Sequence, residues 1–194
     1  MKPNFYMDIE PRVGEIRPLP PGMPQAVYWF KEVFWVCHGV FSDNPGVYAL
    51  ALPELKTGDF KKLGKIRIFS EKEQDLNTLA DELELHQFSK ENSIITRIKA
   101  SPLSQRFVSY SRKMMPSRGK RMSAELFHQK INEIKALPSI PMKSQTNGQR
   151  FFLSFCEQKR SEKDFVEFLM NDGRAKLNTY GLSAASDPVI LPDF

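Results

Sequence analysis

The sequence predicts an α+β fold, and three observations carry that expectation. Over the first hundred residues, alternating strand patterns and amphipathic helix patterns follow one another in the order β-α-β-β-α-β. The composition can fill a core, since 41% of the 194 residues are hydrophobic and 15 are phenylalanine. Charge divides the chain, with the positive residues gathered in one stretch of the second half. The element order is the ferredoxin-like (RRM-like) arrangement. The expected organisation is a ferredoxin-like domain over residues 1–100 and a smaller α+β domain over residues 101–194, carrying a basic segment and a β-hairpin.

Phe5 to Glu10 loosely alternates and reads as the first strand. The loop after it holds Pro11, Pro18, Pro20, Pro21 and Pro24, too many for regular structure. Ala26 to Phe41 reads as a helix, because Val27, Phe30, Phe34, Cys37, His38 and Phe41 recur at spacings of three and four. Ser42-Asp43-Asn44-Pro45-Gly46 is a turn, and Val47 to Leu52 is a second strand. Lys65 to Ser70 is a third. Ser70 is placed to cap the next helix, with Glu73 as its capping-box partner. That helix buries Leu76, Leu79 and Leu83 and runs to about His86. Ile94 to Lys99 is a fourth strand.

In the second half, Arg106 to Lys113 reads as extended. Ser123 to Ala136 is a helix closed by Pro138 and Pro141. A polar loop, Ser144 to Phe151, leads into a strand ending at Cys156. Phe165 to Met170 and Arg174 to Tyr180 read as a hairpin around Asn171-Asp172-Gly173, a strong turn signal.

From Arg97 to Ala124 there is no aspartate or glutamate, while Arg97, Lys99, Arg106, Arg112, Lys113, Arg118, Lys120 and Arg121 fall inside. Extended to Leu153, the segment holds 12 basic and 2 acidic residues, a net of +10. The whole chain is +5, so the remainder sums to −5. Charge so concentrated points to a polyanion, and nucleic acid is the usual one. A solvated basic face is the alternative. The segment closes with Ser144-Gln145-Thr146-Asn147-Gly148-Gln149-Arg150-Phe151, which offers hydroxyls, amides and backbone N–H groups to a phosphate and a ring to a base. Ferredoxin-like modules often bind RNA. The glycine–aromatic RRM signature is absent from Lys65-Ile66-Arg67-Ile68-Phe69, so stacking of single-stranded RNA on the sheet is not expected.

No apolar run reaches the ~18 residues of a membrane span. Met1 to Asp8 has no apolar signal region. Cys37 and Cys156 have no CxxC or Cys/His partner at metal-ligand spacing. A reduced, cytoplasmic protein is expected, with no structural metal, no cofactor and no membrane partner.

His38 is one of three histidines. By periodicity alone it shares the stripe of Phe34 and Phe41, and a core or helix-terminal role fits it better than catalysis. Imidazole is nevertheless the side chain that can exchange a proton with a hydroxyl near neutral pH. Ser144 and Thr146 read as hydrogen-bond partners, since RNA brings its own nucleophilic hydroxyl.

Five short motifs in chain order carry a resemblance. They are Tyr6-Met7-Asp8-Ile9, His38 with the later Pro53-Glu54-Leu55, Leu63-Gly64-Lys65-Ile66-Arg67-Ile68, the Ser144 to Phe151 loop, and Tyr180-Gly181-Leu182-Ser183. Together they resemble the CRISPR-associated endoribonucleases of subtype I-F, the Cas-six group also called the Csy family, over nearly all 194 residues. The loop is similar to the family's Ser-Gln-x-x-Gly-Gln-x-Phe.

The resemblance implies metal-independent cleavage of CRISPR repeat transcripts at the base of a stem-loop. The RNA 2′-hydroxyl would attack, giving a 2′,3′-cyclic phosphate and a 5′-hydroxyl. It implies His38 as the catalytic histidine, Ser144 positioning the 2′-hydroxyl, and Tyr180 orienting the histidine. Phe151 would stack on the base pair at the foot of the stem. Arg106, Tyr110, Arg112, Lys113, Arg118, Lys120, Arg121, Gln145, Thr146, Gln149 and Arg150 complete the expected RNA contacts. The partners implied are the repeat hairpin, or the guide RNA cut from it, and other subunits of a type I-F surveillance complex. Two departures mark this sequence. Pro116 and Gly119 interrupt the stretch where the family sets an arginine-rich helix. Tyr110 and Arg112 stand where a base-reading arginine and glutamine are expected. The rival readings are a catalytically silent hairpin-binding subunit and an RRM-type single-strand binder.

Overall fold

The computed structural model describes residues 1–14, 16, 19–55, 64–116, 123–144, 148–173, 176–184 and 186–194. The chain is mixed α/β, with two antiparallel sheets and five helices among the described residues. The first sheet uses β1 (Phe5–Pro11), β2 (Tyr48–Ala51), β3 (Ile66–Ser70), β4 (Ser93–Ile95) and β5 (Lys99–Ala100), in the order β2-β3-β1-β4 with β5 also on β1. The second uses β6 (Phe107–Lys113), β7 (Ser139–Lys143), β8 (Arg150–Arg160) and β9 (Leu191–Pro192), in the order β7-β8-β6-β9.

Helix α1 (Gln25–Asp43) carries the predicted stripe and buries Val27, Trp29, Phe30, Val33, Phe34, Cys37 and Phe41. Each large apolar side chain so buried stabilises the fold by roughly 1.5–3 kcal/mol. The Trp29 indole N–H donates to Ser93 Oγ at 3.0 Å, so its one polar atom is satisfied inside the core. Phe30 and Phe34 meet Phe155 of β8 edge-on, which joins the second sheet to the same core as the first.

Several details differ from the sequence expectation. The Ser70–Glu73 capping box does not form. Helix α2 (Glu73–Leu85) starts after Lys72, and the Ser70 hydroxyl donates instead to Asp75 Oδ2 at 2.9 Å. A short helix α3 (Gln87–Asn92) follows it, capped by His86. The strand expected over residues 94–99 is split in two. Thr96 lies between the pieces, donating its N–H to Asp8 O and accepting the Asp8 N–H on its hydroxyl, both at 2.9 Å. Pro141, beyond the end of the preceding helix, lies in β7, an edge strand where its missing N–H costs no ladder bond.

The largest correction is the hairpin expected over residues 165–180. Helix α4 spans Ala124–Lys135, and residues Glu162–Met170 are helix α5, started by a complete capping box between Ser161 and Asp164. Asn171-Asp172-Gly173 ends that helix. The Gly173 N–H returns to Phe168 O and the Asp172 N–H to Leu169 O, with φ +57° at Asp172 and +60° at Gly173. Residues 174 and 175 lie outside the described residues. The hairpin of the second half is β7–β8, with Lys143 opposite Arg150.

Cys37 is fully buried on the core face of α1, and burial pushes its thiol up to about 12. Cys156 is half-buried on β8. At neutral pH a thiol reagent should therefore titrate one cysteine quickly in the native chain and two in denaturant. Two fast native equivalents would contradict this seating of α1.

Candidate active site and nucleic-acid interface

The last turns of α1 bring His38 to the edge of the core, half-buried while its neighbour Cys37 is wholly buried. Its ring lies flat on Tyr180, with centroids 4.3 Å apart and planes 9° from parallel. Trp35, one turn earlier on the helix, meets it edge-on at 6.0 Å. His38 Nδ1 lies 2.6 Å from the carbonyl oxygen of Thr179. A carbonyl only accepts, so Nδ1 carries the proton and donates. Nε2 makes no hydrogen bond among the described residues and, in the neutral ring, holds the lone pair.

Thr179 and Tyr180 are held there by a tight turn, residues 178–183. The Asn178 side-chain oxygen accepts the N–H groups of Tyr180 at 2.9 Å and Leu182 at 3.2 Å. Gly181 adopts φ +67° and donates its N–H to Asn178 O. Its own carbonyl accepts the N–H of Leu50 at 2.8 Å, pinning the turn to the edge of the first sheet. Ser183 pins it to the second, giving both its N–H and its hydroxyl to Tyr110 O. A Cβ at Gly181 would stand 2.8 Å from Phe41 Cε2 and 3.2 Å from Leu50 N, so glycine is required by space as well as by backbone angle.

On β6 the Arg112 guanidinium lies over two rings, 4.9 Å from the centroid of Tyr180 and 5.2 Å from that of Phe151. Phe151, Arg112, Tyr180 and His38 are thus linked through successive ring contacts. Ser144 heads the β7–β8 loop, where its N–H donates to Gln149 O and its carbonyl accepts the N–H of Gly148. With Lys31, Trp35, Met142, Lys143 and Gly148 it lines a cleft of about 400 Å³ beside α1. Trp35 therefore borders both this cleft and His38.

The expected RNA contacts scatter more widely. Tyr110 corrects the reading. It is buried, and its hydroxyl donates toward Glu157 Oε2 at 2.9 Å and Leu52 O at 3.2 Å, so it is committed to the core. Burial and the Glu157 carboxylate drive its phenol well above the ordinary range. Arg106 sits exposed at the far end of β6, 3.7 Å from Asp193. Lys113, Gln149 and Arg150 lie at strand ends of the second sheet. Arg118, Lys120, Arg121, Gln145 and Thr146 lie outside the described residues. The sequence reading missed Thr179, which acts through its backbone and leaves no side-chain signal. It also missed Trp35 and Lys31, three and seven residues before His38 and hence on its side of the helix.

Gly181→Ala should lower stability by about 1–2 kcal/mol from the left-handed backbone alone, and by more from the contact with Phe41. Urea unfolding checks this, and a midpoint equal to that of the natural chain would contradict the turn described.

A family model described as CRISPR-associated protein (Cas_Csy4) matches residues 15–194. No curated protein matches the chain. A solved structure described as a chlorite dismutase is similar over 98% of this chain and 91% of that one, at 10% identity and a TM-score of 0.32, too slight a likeness to bear on function. The family match spans nearly the whole chain and takes in the helix of His38, the Ser144 loop and the Gly181 turn: the protein belongs to the Cas_Csy4 family of CRISPR-associated, RNA-binding endoribonucleases that process CRISPR repeat transcripts.

Proposed function

We propose that this chain cuts a CRISPR repeat transcript at the foot of a stem-loop, with the RNA's own 2′-hydroxyl as nucleophile and His38 Nε2 as the proton acceptor. One observation carries the reading. His38 commits its Nδ1–H to Thr179 O and its face to Tyr180, which leaves Nε2 as the basic nitrogen. The 2′-hydroxyl proton passes to Nε2, and the 2′-oxygen bonds to the adjacent phosphorus. The bond from phosphorus to the 5′-oxygen breaks, that oxygen takes a proton from water, and the proton on Nε2 is returned to solvent. The products are a 2′,3′-cyclic phosphate and a 5′-hydroxyl, and no metal or cofactor enters the step. Ser144 positions the 2′-hydroxyl, and Phe151 closes the foot of the stem.

Residues 1–100 form the ferredoxin-like unit in this reading, supported by the strand order β2-β3-β1-β4, and residues 101–194 grip the hairpin. Arg106, Lys113, Arg118, Lys120, Arg121, Gln145, Thr146, Gln149 and Arg150 face the RNA backbone or bases. The chain then keeps the guide-RNA hairpin as a subunit of a surveillance complex.

Cleavage of the cognate repeat hairpin in EDTA tests the chemistry. His38→Ala should slow cutting by about 10²–10⁴-fold and leave binding within about twofold. A single 2′-deoxy sugar at the nucleophile should abolish cutting. Cutting of the deoxy substrate, or cutting by His38→Ala at the natural rate, would overturn the mechanism; tight binding with no cutting would leave a hairpin-holding subunit. For about six phosphates neutralised, the logarithm of affinity should fall with that of salt at a slope of roughly −4 to −5.

A further inference from the structure

Among the described residues two arginines are held between aromatic rings, and they differ in one respect. Arg67 lies over Tyr6 at 4.8 Å and Phe194 at 4.1 Å. Each of its three nitrogens is engaged: Nε and one terminal nitrogen reach the Asp8 carboxylate at 2.7 and 2.9 Å, and the other reaches Phe194 O at 2.9 Å. An arginine that serves the fold alone is given acceptors in this way.

Arg112 is held between Tyr180 and Phe151 in the same manner, yet its guanidinium makes no hydrogen bond and no ion pair among the described residues. Its Nε is buried without a partner. A buried donor left unmade is costly, and a guanidinium stacked on rings presents its donors in one fixed plane. Glu157, opposite Tyr110 in the ladder, accepts the Tyr110 hydroxyl and makes no ion pair with Arg112. An anion from outside the chain would complete the set that Asp8 completes for Arg67.

We propose that Arg112 grips the phosphodiester that leaves the foot of the RNA stem and so carries the strand from Phe151 toward His38. This rests on the reading that the chain holds a stem-loop with Phe151 at its foot. The position fits a phosphate better than a base edge. Arg112 lies between the ring that closes the stem and the ring that orients His38, the path along which the backbone must pass to reach the base. The contact is bidentate and charge-assisted, which suits arginine and not lysine.

The test uses the full-length chain and a stem-loop RNA blocked by a 2′-deoxy sugar at the nucleophile, so that binding is read without cutting. A neutral methylphosphonate is placed at one linkage at a time around the stem foot. In the natural chain one linkage should weaken binding about tenfold when neutralised. In Arg112→Ala and Arg112→Gln the same change should cost less than about twofold, and the salt slope should fall by about one. Arg112→Lys should keep the slope and lose most of the linkage preference. Thermal melts of all three variants show that they fold.

An undiminished penalty at every linkage in the Arg112 variants overturns the proposal while leaving the stem-loop reading intact. So does a 7-deazaguanine at the stem foot that erases the difference between natural and variant chains, because that assigns Arg112 to a base edge. Failure of the natural chain to bind any of the hairpins overturns the stem-loop reading, and the phosphate contact with it.

Discussion

The left-handed turn at Gly181 is the constraint on which the rest of the site depends. One residue with φ +67° lets the backbone reverse so closely that its carbonyl reaches Leu50 on the first sheet while Ser183, two residues on, reaches Tyr110 on the second. The Asn178 side-chain oxygen, holding the N–H groups of Tyr180 and Leu182, ties Thr179 and Tyr180 to that anchored turn. The carbonyl that fixes the proton on His38 and the ring that fixes its plane are thus set by backbone geometry, not by a side-chain acid.

The column of Phe151, Arg112, Tyr180 and His38 shows how one set of contacts serves two purposes. Phe34 lies parallel to Tyr180 at 5.9 Å, so the column is rooted in the buried stripe of α1. A cation over aromatic faces gains roughly 0.5–2 kcal/mol, the more the better it is shielded from water. The same shielding makes its unmade hydrogen bonds expensive. Arg67 resolves that conflict with Asp8; Arg112 leaves it open beside the histidine.

Much of the fold was legible because its signals are periodic. The α1 stripe follows a pattern that burial itself imposes, whereas β2 and β3 are buried along their whole length and the helix of residues 124–135 buries only Ile134. The misreadings share one cause, a local signal that two structures use equally. Asn171-Asp172-Gly173 supplies left-handed residues, which suit a hairpin turn and a helix stop alike; the Ser161–Asp164 box upstream decides between them. Tyr110 occupies a strand position that alternation places on the face of Arg112, yet β6 is buried along most of its length by elements from both halves. His38, Ser144, Tyr180 and Phe151 came from motif resemblance rather than from periodicity, because a half-buried histidine in an apolar stripe looks like any other core residue. Thr179 was invisible because its contribution is a carbonyl that every residue has.

The bond from His38 to Thr179 spans 141 residues of chain. The histidine is therefore made early in synthesis and becomes chemically defined late. Until the segment around Gly181 has docked on β2, nothing selects which ring nitrogen carries the proton, and no ring covers the imidazole face. Under the mechanism proposed, a nascent chain still on the ribosome holds the histidine without a working base, and so does a fragment clipped ahead of Asn178. Under that mechanism, a ribonuclease synthesised beside messenger RNA acquires its nucleolytic competence only with the completed tertiary structure.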